Sequence, residues 1–130
     1  MRPSRPAVGK IGEEFAVAHL TKRGYNIRER NYRTPFGEID LIVEREQRIV
    51  FVEVKARRSL KFGLPQAAVT PAKQQQITKV ALNYLQLNDG LDTPCQFDVI
   101  AVLLSRNLEL IALQHIENAF PFSEPSSFEP

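Results

Sequence analysis

Apolar residues recur along this chain in two periods, and the changes of period mark its elements. Over residues 8–23 the spacing is helical. Ala16, Val17 and Leu20 share one face, Gly24 follows as a C-cap, and Lys22 and Arg23 suit the negative end of the helix dipole. One turn back along that face stands Glu13, an acid leading an apolar stripe, whereas Glu14 falls to the side. Three segments then read as strands, 25–32, Gly37–Arg45 and Arg48–Arg57, with β-branched and aromatic residues enriched in the last two. Their short connections predict an antiparallel meander. After a basic loop over 57–63, Thr70 as N-cap and Pro71 at the first helical position start a second helix that runs to Leu87. Ile77, Val80, Ala81 and Tyr84 form its stripe, Lys73 leads that stripe, and Asn88-Asp89-Gly90 ends it. Two further strands, 96–104 and 108–115, are joined by Ser105-Arg106-Asn107, giving the order αβββαββ.

The 130 residues suit one domain, expected over 7–120, with the Pro-containing 1–6 and the Pro- and Ser-rich 121–130 as loose, flexible ends. Cys95 is the lone cysteine, so an internal disulfide is excluded and the thiol is expected to pack as a small hydrophobe. No window approaches the roughly 20 apolar residues that cross a bilayer, and the first residues lack the apolar stretch of a signal peptide. The expectation is a soluble, cytoplasmic protein without a membrane partner. A formal net charge of +2 says little about partners, but its distribution is uneven. Residues 1–33 carry eight Lys/Arg against three acids, and residues 55–88 carry six basic residues and no acid. Such blocks either neutralise backbone phosphates or simply solvate a face.

Two acids and a lysine interrupt the apolar second and third strands, in Gly37-Glu38-Ile39-Asp40 and Phe51-Val52-Glu53-Val54-Lys55. A hairpin closed around Glu46-Gln47 sets Asp40 opposite Glu53 and Glu38 opposite Lys55. The same register lines Ile39, Leu41 and Val43 with Val50, Val52 and Val54 on one apolar face, with Ile42 and Phe51 on the other. Carboxylates directly opposite would repel by roughly 4 kcal/mol at 4 Å and an effective dielectric near 20. A proton on one of them, Lys55 between them, or a bridging divalent cation would relieve this. Oxygen donors with no His or Cys nearby suit Mg²⁺, or Mn²⁺, rather than Zn²⁺. The plain alternative is a solvated strand end in which Glu38 pairs with Lys55.

These residues also carry a resemblance. The Asp…Glu-x-Lys pattern resembles the signature of the restriction-endonuclease-like, or PD-(D/E)XK, nuclease superfamily, and Glu13 looks like the helical acid of archaeal-type Holliday junction resolvases. Gly9-Lys-Ile-Gly12-Glu13, Gly24-Tyr25, Arg30-Asn31, Gly37-Glu38-Ile39-Asp40, Phe51-Val-Glu-Val-Lys55 and Gly63 together resemble the YraN-like bacterial proteins. Gln96 stands where that likeness leads one to expect a basic residue. The resemblance implies an α/β fold with a restriction-endonuclease-like αβββαβ core, a mixed central sheet flanked by helices, and a site at the sheet edge.

It further implies a metal-dependent endonuclease that hydrolyses phosphodiester bonds in nucleic acid, DNA more than RNA, with branched DNA among the candidates. Asp40 and Glu53 would hold Mg²⁺ with the backbone carbonyl of Val54, Glu13 would reach the ion directly or through water, and Lys55 would position the attacking water. Glu38 would support the ion from outside or pair with Lys55. Arg57, Arg58, Lys61 and Lys73 are placed to grip nucleic-acid phosphates, or to solvate a loop and a helix start. A homodimer would suit a two-fold symmetric substrate. A noncatalytic nucleic-acid-binding module and an interaction protein are the competing functions. His19 and His115 match no metal spacing and are read as structural, as is Asp98. Tyr25, Tyr32 and Phe62 are read as core packing rather than base-stacking platforms.

Overall fold

The structure, a computed structural model, describes residues 4–59 and 65–123. Its elements follow in the order α1 (Arg5–Lys22), β1 (Asn26–Thr34), β2 (Gly37–Arg45), β3 (Arg48–Arg57), a 3-10 turn (Pro65–Ala68), α2 (Pro71–Leu87), β4 (Cys95–Leu104) and β5 (Leu110–Phe120). The five strands form one sheet in sequence order. All neighbours are antiparallel except β3 and β4, which are parallel because α2 carries the chain across one face between them. The mixed sheet flanked by helices is the expected architecture.

Helix ends follow local chemistry. Ser4 caps α1 by accepting the Ala7 N–H, and Pro6 fits the first turn, so α1 starts three residues earlier than its apolar stripe implies. Residues 4–6 thus belong to the helix and its cap. At the other end Gly24 adopts φ +85°, the Tyr25 N–H donates to the Leu20 carbonyl, and the Gly24 N–H donates to that of Thr21. This Schellman arrangement needs the left-handed glycine and brings Tyr25 back onto Leu20. Thr70 caps α2 by accepting the Lys73 N–H at 3.3 Å, and the helix ends at Leu87 as the sequence implies.

Each face of the sheet has its own core. Under α1, Ala16, Leu20 and Tyr25 pack on Leu41, Val43, Val50, Val52, Ile100, Val102 and Leu104. Under α2, Ile77, Val80, Ala81, Tyr84 and Leu85 pack on Ile39, Ile42, Ile49, Phe51, Phe97 and Val99. At about 1.5–3 kcal/mol for each large apolar side chain buried, this packing rather than intrinsic propensity holds both helices. Tyr25 and Tyr32 are core or core-edge residues, the latter edge-on to Tyr84 at 5.2 Å. Phe62 lies outside the described residues.

The β2–β3 hairpin has the expected register, Leu41 opposite Val52 through Arg45 opposite Arg48. Glu46 and Gln47 both take positive φ, 51° and 64°, the geometry of a two-residue turn whose twist matches the strands. Alternation fails at one place. Ile39 faces α2 with Ile42, not α1 with Leu41 and Val43. Asp40 beside it is skipped by the β1 ladder and lies beyond the end of the β3 ladder, and Asn31 across from it on β1 takes φ 52°. The slip puts Arg30 and Asn31, consecutive residues, on the same side of the sheet.

The last strand also differs from expectation, beginning at Leu110 and continuing five residues beyond His115. Val99 pairs with Ile116 and Phe97 with Phe120, so Glu117, Asn118 and Ala119 bulge opposite Asp98 alone, with Asn118 at φ 50°. Phe122 packs on Phe97 at 4.4 Å. Among the described residues no helix is long and apolar enough to cross a membrane.

Candidate active site

Beyond the Leu41–Val52 pair β2 leaves β3, while β3 stays paired with β4 as far as Arg57. Two carboxylates fill the opening and take over the backbone donors that the ladder has released. The Asp40 N–H donates to Glu53 Oε2 at 3.2 Å, and the Val54 N–H donates to Asp40 Oδ2 at 2.8 Å. Glu53 is buried and Asp40 half-buried.

Burial therefore dominates the electrostatics. It pushes the Glu53 carboxyl up to about 8, helped by the Asp40 carboxylate beside it. Asp40 is also raised, first by burial; the Val54 N–H and Lys55 pull it back, while Glu13 and Glu38 push it further up. Lys55 is lowered, by its own burial and then by the Lys73 ammonium next to it. At neutral pH the metal-free site thus relieves the carboxylate repulsion by keeping a proton on Glu53. Lys73→Met should let Lys55 rise towards the ordinary lysine range, read as a shift in its NMR titration; an unchanged midpoint would exclude Lys73 as its electrostatic neighbour.

Glu13 projects from α1 towards this opening. Its Oε1 accepts from Arg30 Nε and Nη2 at 3.2 Å each and from Asn31 Nδ2 at 3.1 Å. The slip in β1 is what aims both donors at one carboxylate, and Arg30 also pairs with Glu14. A cleft of about 440 Å³ lies here, with Glu13, Asp40 and Val54 on its wall beside Lys10, Arg30 and Arg33. In the sequence Lys10, Arg30 and Arg33 stand out only as members of the basic N-terminal block; that block, folded against the second strand, is the available signal.

The remaining candidates divide. Glu38 is exposed and pairs with Arg33, its partner across β1, at 3.3 Å instead of with Lys55. The salt bridge expected from the hairpin register is absent because β3 has already diverged. Arg57 and Arg58 line a second hollow, also about 440 Å³, on the far side of Gly9. Arg58 Nη2 donates to the Arg106 carbonyl at 3.3 Å, and its Nε is buried without a hydrogen-bond partner among the described residues. Lys61 lies outside the described residues. Lys73, exposed on the first turn of α2, meets Lys55 and Glu53.

The histidines, read from the sequence as structural, join α1 to β5 and β4. His19 and His115, 96 residues apart, meet with His19 Nε2 and His115 Nδ1 at 3.1 Å, and His115 Nε2 lies 2.7 Å from Asp98 Oδ2. Asp98, His115 and Glu117 bring potential metal-donor atoms within 4.8 Å of one another, the only trio to do so among the described residues. The Asp40, Glu53 and Glu13 carboxylates do not form so tight a group. Period-two reading places His115 at a strand end and gives no hint of the bulge that curls Glu117 around Asp98.

Element order, mixed sheet and the acid-lined opening define the class: an α/β domain with the restriction-endonuclease-like αβββαβ core. The chain belongs to the uncharacterised protein family UPF0102, whose pattern matches residues 12–102, in keeping with the YraN-like resemblance. Similar members include UPF0102 proteins of Trichlorobacter lovleyi, 50% identical over 115 residues (88% of this chain, 90% of the relative), and of Geotalea uraniireducens, 46% identical over 119 residues (92% and 93%). That of Dictyoglomus thermophilum is 39% identical over 113 residues (87% and 96%). Among solved structures, that of Pyrococcus furiosus SfsA in complex with Ca²⁺ is similar with TM-score 0.36 and 15% identity, over 86% of this chain and 61% of that one.

Proposed function

We propose that this chain is a divalent-metal-dependent nuclease that hydrolyses phosphodiester bonds in nucleic acid, DNA in preference to RNA. The supporting observation is the pair of carboxylates where the sheet opens beside Lys55, buried Glu53 on the Asp40 N–H and half-buried Asp40 on the Val54 N–H. Two acids with raised proton affinity suit a cation that would replace the proton, and oxygen donors alone suit Mg²⁺ or Mn²⁺. Asp40 and Glu53 would hold the ion, with the Val54 carbonyl next to them and Glu13 reaching it through water. Bound there, it would supply Lewis acidity towards a phosphoryl oxygen and a water acidic enough to attack.

The chain's own groups supply the rest. Lys55, with Lys73 beside it, offers positive charge where the scissile phosphate gains negative charge. Lys10, Arg30 and Arg33 on the cleft wall serve flanking phosphates, which position the strand without reading its sequence. Arg30 and Asn31 fix the Glu13 carboxylate on the near side of the cleft.

The test is cleavage of duplex, branched, flapped and single-stranded DNA and RNA with Mg²⁺ or Mn²⁺. Asp40→Ala and Glu53→Ala should each lower a wild-type activity by on the order of 10²- to 10³-fold or more. Identical background from all three proteins on every substrate would sink the enzyme reading; salt-sensitive binding without cleavage would then assign a binding module.

A further inference from the structure

We infer that Asp98, His115 and Glu117 form a second metal site, distinct from the Asp40–Glu53 opening and selective for a divalent transition metal of the Zn²⁺ kind. The β5 bulge builds it by setting three residues against Asp98 alone. His115 is presented from the strand before the bulge and Glu117 from within it.

The cluster is organised as metal sites are. Asp98 is fully buried, and its Oδ1 is held by Gln96 Nε2 and the Asn118 N–H, each at 2.9 Å. Oδ2 is turned to His115 Nε2 at 2.7 Å. A ligating histidine is normally oriented through its other ring nitrogen; here His115 Nδ1 meets His19 Nε2 at 3.1 Å. With both rings neutral, the Asp98 carboxylate makes His115 Nε2 the donor to it and leaves His115 Nδ1 to accept from His19 Nε2. Metal binding needs only the other neutral tautomer of each ring: His115 carries its proton on Nδ1 and donates it to His19 Nε2, and His19 carries its own on Nδ1. No proton is gained or lost, and the Nε2 lone pair faces Asp98 and Glu117.

Donor chemistry selects the ion. One imidazole and two carboxylates suit Zn²⁺ better than Mg²⁺, which prefers oxygens and keeps its waters. Tetrahedral ligands about 2.0–2.2 Å from an ion lie roughly 3.3–3.6 Å apart. Donors already within 4.8 Å therefore require an inward swing, which the exposed Glu117 is free to make. A hollow of about 240 Å³ with Gln96, Glu117 and Tyr25 on its wall lies against the outer ligand, Glu117. The hard-ion opening holds no histidine, so the two sites differ in ligand type as well as position.

The chain contains only two histidines, which makes the test direct. Tag-free protein carrying Asp40→Asn and Glu53→Gln, which removes the first site, is titrated with Zn²⁺ alone by calorimetry and by imidazole ¹⁵N NMR. One-to-one binding is expected, with the His115 Nε2 signal moving to a metal-bound position and the His19 proton moving from Nε2 to Nδ1. Adding Glu117→Gln, an exposed change that leaves the Asp98–His115–His19 chain in place, should weaken binding about 10- to 100-fold. Unchanged imidazole signals at stoichiometric Zn²⁺, or affinity indifferent to Glu117→Gln, would overturn the site and leave a hydrogen-bonded relay.

Discussion

Glu53→Gln is expected to raise the thermal stability of the metal-free protein at pH 9 and at the same time to abolish its stabilisation by Mg²⁺. The sign follows from the proton on Glu53. Its folded-state pKa of about 8 lies above the ordinary 4.5, so the folded chain retains a proton that the unfolded chain releases. Stability from this group is complete below about pH 4.5 and is lost progressively as pH climbs to about 8. Each tenfold difference in proton affinity between the folded and unfolded chain is worth about 1.4 kcal/mol, so the loss is at most on the order of 5 kcal/mol, or roughly 20 °C in melting temperature. Glutamine keeps an oxygen to accept the Asp40 N–H and has nothing to ionise. Its melting temperature should fall less between pH 5 and pH 9 than that of wild type, though Asp40, raised in the same direction, will leave part of the slope. Mg²⁺ needs the carboxylate, so it should stabilise wild type increasingly as pH approaches 8 and leave the variant unmoved. Parallel melting curves for the two proteins across this range, with and without Mg²⁺, would refute the assignment.

Gly12→Ala should destabilise the fold, although alanine is the better helix former. A Cβ built on Gly12 would stand 2.4 Å from the Ala56 Cβ, and neither atom can rotate away from its backbone. α1 must then lift from β3. Overpacking of this kind costs about 1–3 kcal/mol, against a gain of up to about 1 kcal/mol in helix propensity. A net loss of about 1–2 kcal/mol is expected, with the neighbouring Glu13 carried away from Asp40 and metal affinity reduced with it. Gly9, one turn earlier in the same helix, is the control: a Cβ there has no neighbour within 4 Å, so Gly9→Ala should stabilise by up to about 1 kcal/mol. Ala56→Gly should restore the Gly12→Ala protein. Chemical denaturation of these three variants and wild type distinguishes close packing from propensity, and equal, stabilising effects at both glycines would show that α1 does not rest on Ala56.

How much of the fold and site is legible in the sequence depends on whether the governing interaction is local. The β2–β3 register follows from alternating residues on both sides of a two-residue gap, and the α2 start from Thr70-Pro71; both are written within a few positions. α1 begins earlier than its stripe suggests because Pro6, which looks like loop chemistry, is acceptable in a first helical turn. Alternation assigns Ile39 to the wrong face because it leaves no room for the slip at Asp40, which is matched by a positive φ at Asn31 in the neighbouring strand. Glu38 finds Arg33 rather than Lys55 because pairing with β1 outlasts pairing with β3. The meeting of His19 with His115 joins α1 to the last strand, and no period within either segment encodes it.

The seat of α1 has a consequence for how the chain reaches this state. The helix is synthesised before the sheet, yet the residues it rests on include Ile100, Val102 and Leu104 of β4, which follows α2. On the ribosome its apolar stripe can be covered only in part, by β2 and β3, until the parallel partner of β3 has been added. Pairing across such separations delays the reward for closing the loop, which puts folding in a slower regime than that of a helical bundle of similar size. The amides of α1 should therefore gain exchange protection together with those of β4, and a nascent chain stalled before Cys95 should expose α1 to chaperones and proteases.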